Sequence, residues 1–192
     1  RLVCQAGLKL HVVLTLREFP PWIDPKDSEK YVEATSQACG RDQLNNKINN
    51  PSAAHPFVWQ RIQAYVGNVT QLLVQNHGSC VESVSPTLNN EFETRFTQTN
   101  ALMRDYSPSA VQLYHEWQRQ RQGVIRHESP PQIPCGTICQ AIRGEAELEW
   151  MAFREDFLSD RYIHLCSLAK RTAAAVVGNE QQQSLKCLLH MP

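Results

Sequence analysis

The sequence is short of several things at once. Lysine plus arginine equals aspartate plus glutamate at 19 each, so neither sign is in excess and the formal net charge is zero. A nucleic-acid or anionic-membrane binder would carry a basic surplus, and no run of like charge supplies one locally. Long apolar runs are missing too. The densest stretch, 8–16, is about half the ~20 residues of a membrane span and is interrupted by Lys9, His11 and Thr15. Glycine is scarce, eight in 192 residues, and none falls in a phosphate-cradling loop. His115-Glu116 and His127-Glu128 are adjacent pairs without a second histidine one helical turn away, which excludes the common zinc-hydrolase pattern. His77-Gly78-Ser79-Cys80 lacks the flanking glycines of a nucleophile elbow. No catalytic, cofactor-binding or metal residue is therefore assigned, and whether the chain is an enzyme stays open.

What is abundant is cysteine. Cys4, Cys39, Cys80, Cys135, Cys139, Cys166 and Cys187 are many for a chain kept in a reducing compartment. They read as three disulfides and one odd thiol in a secreted or lumenal protein. Asn68-Val69-Thr70 is a glycosylation acceptor in keeping with that route, whereas Asn50-Pro51-Ser52 is excluded by its proline. Numbering from Arg1, with no leader in sight, is what a processed chain or a fragment would show. Cys4 with Cys187 is one pairing considered, closing nearly the whole chain and worth about 5 kcal/mol by loop entropy. Six paired cysteines allow fifteen connectivities for each choice of the odd one.

Hydrophobic content of 42% with 20% charge is that of a globular protein. A domain of this size buries roughly 70% of the surface its unfolded chain exposes, so 1–192 is expected to form a single helical domain. The most informative regularity is where proline falls. Apolar-periodic stretches open at Asp24-Pro25, His55-Pro56, Ser85-Pro86, Ser107-Pro108 and Pro134-Cys135. Proline suits the first helical position, and Asp24, Ser85 and Ser107 are good N-caps. Helical stripes follow: Tyr31, Val32, Thr35 and Cys39; Val58, Ile62, Tyr65, Val66, Val69, Leu72 and Leu73; Leu88, Phe92, Phe96, Met103 and Tyr106; Ala110, Leu113, Tyr114 and Trp117. The longest pattern runs from about Glu145 to Val177, roughly 50 Å if unbroken, with Ser159-Asp160 a candidate cap for a second helix. The expected fold is all-α, a bundle or array of five to six helices.

One segment departs from it. Leu8, Leu10, Val12, Leu14 and Leu16 alternate with Lys9, His11, Val13 and Thr15, the period of a half-buried strand over 8–16. No partner strand is evident, and a lone strand leaves its backbone groups unpaired. Stretches 41–54 and 125–134 read as a long polar loop and an extended connection.

The remaining motifs are weak. Cys135 and Cys139 share a helical face, which suits a disulfide or two metal ligands. His164 and Cys166 would complete a zinc set by residue type but point some 200° apart on a helix. Gln37-Ala38-Cys39-Gly40 echoes a caspase nucleophile but continues with Arg41 where that pattern has glycine. Ser167-Leu-Ala-Lys170 has the spacing by which a lysine activates a serine, without the accompanying motifs. Trp59, Trp117, Trp150, Phe92, Phe96, Phe153 and Phe157 sit at helical spacing and read as core rather than as a ligand cavity. The run Pro130-Pro-Gln-Ile-Pro-Cys-Gly-Thr-Ile-Cys139 resembles a cysteine-bearing stretch in the helical C-terminal region of acid sphingomyelinases. The likeness covers ten residues and none of that family's metal ligands, so no site carries over. It implies an accessory or truncated piece of a lumenal hydrolase.

Two functions stand as expectations. The first is a secreted or lumenal helical binding protein without catalytic activity, cytokine-like or a carrier of a small apolar ligand, with a protein receptor or partner subunit. The second is the helical portion of a lumenal hydrolase, with 8–16 the remnant of a sheet, or else a subunit of an obligate complex. No nucleic acid, membrane span or cofactor is expected in any of these.

Overall fold

In the computed structural model, the residues described are 2–15, 24–28, 30–34, 50–78, 80–88, 104–131, 144–177 and 185–188. Their elements in chain order are α1 (Leu2–Gln5), β1 (Leu10–Leu14), α2 (Pro25–Ser28), α3 (Pro56–His77), β2 (Val81–Pro86), α4 (Pro108–Gln122), α5 (Glu145–Val177) and β3 (Lys186–Cys187). They pack as two compact units. One comprises Arg1–Leu16, Gln60–Arg95 and Ser159–Pro192; the other comprises Arg17–Trp59 and Phe96–Leu158.

The first unit holds the main correction to the helical reading. β1, β2 and β3 form a parallel sheet in sequence order, β1-β2-β3. Parallel neighbours need long crossovers rather than hairpins, and here the connecting chain supplies helices. β1 is the strand expected within 8–16, and its missing partner is β2, paired from Leu10↔Val81 to Leu14↔Pro86 with an irregularity between Leu10 and His11. The sequence disguises β2 in two ways. Ser85-Pro86 looks like a helix start, yet Pro86 closes the strand, where a missing N–H costs least. Val81-Glu82-Ser83-Val84-Ser85 also lacks apolar alternation, because small buried serines take positions that a half-exposed strand would give to polar groups. Nearly all of β2 is buried, as expected of a central parallel strand. Leu14, Ile62, Val66, Val74, Val81, Val84, Leu165, Ala169 and Ala173 supply the buried apolar residues of this unit.

The same unit carries two cysteine pairs at disulfide distance. Cys4 and Cys80 have Cα atoms 5.3 Å apart, and Cys166 and Cys187 5.6 Å apart. This replaces the Cys4–Cys187 pairing. Each bridge ties a helix to the sheet region: α1 to the residue before β2, and α5 to β3. Cys39, Cys135 and Cys139 lie outside the described residues.

In the second unit the proline rule holds at two places. Ser107 caps α4 by accepting from Ala110 N, Pro108 takes the first position, and Gly123 ends the helix at φ 77° with its N–H on Arg119 O. α3 opens at Pro56, where His55 Nδ1 accepts from Phe57 N at 3.2 Å. The rule fails at Asp24-Pro25: α2 is four residues long, and Tyr31 and Val32, expected on a helix, turn into a bridge of Val32 with Pro51. α5 runs unbroken, so Ser159-Asp160 caps nothing. Tyr114, Trp150 and Phe153 form the core, with Tyr106, Leu113, Trp117 and Phe157 against it. Tyr114 meets Trp150 edge-on, ring centres 5.0 Å apart. The aromatics Trp117, Trp150, Phe153 and Phe157 are therefore packing, as expected, while Phe92 and Phe96 lie outside the described residues.

Candidate functional site: a buried carboxylate–arginine cluster

The most unusual chemistry among the described residues is inside the second unit. Glu33, Arg104, Asp105 and Arg154 are all buried, at 2–6% exposure. Four ionisable groups withdrawn from water need partners, since an unpaired buried charge is costly. Their positions follow from backbone pairing. Ser52 N donates to Tyr31 O at 2.7 Å and Glu33 N to Asn50 O at 3.0 Å, joining 31–33 to 50–52. Tyr106 N donates to Ala34 O at 3.0 Å and brings in 104–107. α5 contributes Arg154.

The two carboxyl groups have different environments. Asp105 accepts from Ser52 Oγ at 2.5 Å and from Ser107 N at 2.8 Å. Ser107 Oγ lies 3.2 Å from Ser52 Oγ, so the residue that caps α4 also orders the carboxylate. Burial pushes the Asp105 carboxyl above its usual range, and these hydrogen bonds pull it back. Glu33 is pushed much further up, first by burial and then by the Asp105 charge, with Arg104 and Arg154 opposing. Its Oε2 has no hydrogen-bond partner among the described residues. Burial lowers Arg154 to about 10, against the pull of Tyr106, Glu33 and Asp105, so it stays a cation at neutral pH. Tyr106 is raised to about 12 by burial.

Two carboxyl groups pushed apart in acidity are the usual raw material for acid–base work. Access decides against that use here. The space beside Asp105, lined also by Ala54, Ala110, Phe153, Arg154 and Phe157, has no room for a water molecule. Among the described residues, an attacking water has nowhere to stand beside Asp105. The cluster acts as an internal tie between the 31–34, 50–54 and 104–107 segments and α5.

A second polar tie lies close by in sequence. Gln118 is fully buried on α4. Its Oε1 accepts from Arg126 N and His127 N, both at 2.9 Å, and its Nε2 donates to His127 O at 2.9 Å. One side chain thus satisfies three backbone groups of the loop after α4. Arg126 Nη1 to Glu145 at 2.9 Å and His127 to Glu149 at 3.4 Å link the same loop to α5.

The residues singled out in the sequence fall elsewhere. Asn68 is exposed on α3 while Thr70 is buried. Cys166 is bridged to Cys187 and His164 Nε2 meets Gln63 Oε1 at 2.8 Å, so neither joins a zinc set. Among the described residues no group of three or more histidine, cysteine or acidic side chains is arranged to hold a metal. Ser167 is half-buried and Lys170 exposed on α5. Cys39 and the stretch 132–139 lie outside the described residues. No helix among the described residues is long and apolar enough to cross a membrane. Sequence reading missed Glu33, Arg104, Asp105 and Arg154 altogether. The signal available was Arg104-Asp105 placed one residue ahead of a Ser-Pro helix start, and a lone glutamate in the apolar run Tyr31-Val32-Glu33-Ala34.

No family model matches the chain, and no curated protein matches it significantly.

Proposed function

We propose that this chain is the sheet-bearing part of a secreted or lumenal hydrolase. The observation that carries the reading is the parallel sheet, whose strands follow one another in sequence order without reversal. That winding is the one found in barrels of alternating strands and helices, where reactions take place beyond the carboxyl ends of the strands. Fold alone does not name a reaction, so the residues beyond those ends matter. The sequence leaving β1 reads Thr15-Leu16-Arg17-Glu18, and that leaving β2 reads Thr87-Leu88-Asn89-Asn90-Glu91. A glutamate thus follows β1 and β2 in the sequence within five residues, though none follows β3. Carboxylates suit hydrolysis by general acid–base or nucleophilic catalysis, and Glu18 and Glu91 are the two that the sequence offers after β1 and β2; both lie outside the described residues. The two cysteine pairs support passage through an oxidising compartment.

The test is a panel of chromogenic glycosides, esters and phosphate esters, with wild type, Glu18→Gln, Glu91→Gln and Glu33→Gln. Turnover should appear on one class and fall about 100-fold or more in a strand-end variant, the usual weight of a positioned acid or base. Glu33→Gln should keep it. No turnover on any class, or full activity in both strand-end variants, would sink the reading.

The binding-protein reading rests on a different feature. Val69, Leu72, Leu73, Asn76 and His77 of α3 line a surface groove of about 340 Å³. It predicts saturable uptake of an apolar ligand, displaced by Leu72→Lys, with no turnover.

A further inference from the structure

We propose that Asn68 carries an N-linked glycan that covers an apolar stripe on α3. The proposal depends on passage through the secretory route but not on the chain being a hydrolase.

Three observations converge. Asn68-Val69-Thr70 is the one acceptor triplet in the sequence without a proline in its middle. Asn68 lies at the centre of the solvent face of α3, flanked by Arg61, Ala64, Tyr65, Leu72 and Gln75, all exposed. Two of those neighbours are out of place. Tyr65 is 39% exposed and Leu72 58%, three residues before and four residues after Asn68, so both adjoin it on the helix surface, together with exposed Ala64 and Gln71. An exposed tyrosine and leucine bracketing an asparagine is what a sugar chain rooted there would shelter.

The order of events follows from Thr70. Its side chain is fully buried and its hydroxyl has no hydrogen-bond partner among the described residues. A transferase that must engage this hydroxyl cannot reach it once α3 has packed, nor can a helical backbone offer the triplet in an open turn. Transfer therefore precedes folding of α3. The donor is a lipid-linked oligosaccharide diphosphate. The Asn68 amide nitrogen bonds to the first sugar carbon, the bond from that carbon to the diphosphate oxygen breaks, the lipid diphosphate leaves, and the amide proton passes to a base of the transferase.

The test uses the chain secreted from a eukaryotic host. Peptide N-glycosidase should speed its migration, and mass spectrometry of the released peptide should show Asn68 converted to aspartate. Asn68→Gln and Thr70→Ala should migrate like the enzyme-treated protein, and Thr70→Ser should keep the glycan. Secreted wild type whose mass the glycosidase leaves unchanged would overturn the site, whatever the variants do. Shielding has its own readout. Removing the glycan under native conditions should increase binding of a hydrophobic dye, and the increase should vanish in Leu72→Lys. A glycan whose removal leaves dye binding unchanged would overturn the shielding.

Discussion

Replacing Glu33 with glutamine should make the protein more stable at neutral pH, not less. The side chain is buried at 5% exposure, and its carboxyl is held well above the ordinary range, chiefly by burial and then by Asp105. The sign follows from linkage. In the unfolded chain Glu33 ionises near its ordinary value of about 4.3. In the fold it holds its proton to higher pH. Its contribution to stability is therefore fully present below the unfolded value and is lost as pH rises through the folded one. Each unit by which the fold raises the carboxyl corresponds to about 1.4 kcal/mol lost above that pH. Glutamine keeps the shape, cannot ionise, and relieves the repulsion with Asp105. A gain in stability at pH 7.5 is expected, read as a rise in Tm, each kcal/mol being worth roughly 2–4 °C for a chain of this size. At pH 4.5 the two proteins should melt nearly together. The assay is a set of thermal melts between pH 4 and 8. The opposite outcome would arise if the ionised carboxylate were the required partner of Arg104 and Arg154. Glu33→Gln would then lose roughly 3–5 kcal/mol at neutral pH, as a broken buried ion pair does, and the account of the cluster would fail.

The other variants test separate parts of the fold. Gln118→Ala strips three backbone groups of the 126–127 loop of their partner and should cost about 1–3 kcal/mol in chemical denaturation, with faster amide exchange at Arg126 and His127. An unchanged exchange rate there would contradict the role of Gln118. Trp150→Ala removes a side chain with no exposure at the centre of the aromatic core and should cost about 3–5 kcal/mol. If the two bridges act through loop closure, Cys4→Ser should destabilise by about 4.5 kcal/mol and Cys187→Ser by about 3.3 kcal/mol, because the first spans 76 residues and the second 21. Equal costs would count against that origin of their stability.

Much of the helical part was legible in the sequence. Ser107-Pro108 and His55-Pro56 start helices because a capping side chain and a proline at the first turn act locally, and neither depends on distant chain. The long pattern from Glu145 onward shows for the same reason. The strand at 10–14 was legible from its alternation, but its partner was not. Strand pairing is non-local, and the signature of β2 was blurred by buried serines and by a proline whose meaning changes with its surroundings. Asp24-Pro25 misled in the other direction. A good local start yielded one turn, because Val32 pairs with Pro51 and extended pairing overrode helix propensity. The cluster of Glu33, Arg104, Asp105 and Arg154 could not be read at all. Its members are separated by 121 residues from first to last, and only the fold removes them from water.

A peptide map of the unreduced protein tests the sheet-bearing unit most directly. Both cysteine pairs lie in the sheet-bearing unit, one tying α1 to the entrance of β2 and the other tying α5 to β3. Digestion without reduction should release linked peptides joining Cys4 to Cys80 and Cys166 to Cys187. A peptide joining Cys4 to Cys187 would contradict the arrangement of the sheet-bearing unit, and free thiols at all four positions would contradict the lumenal origin proposed from the two pairs.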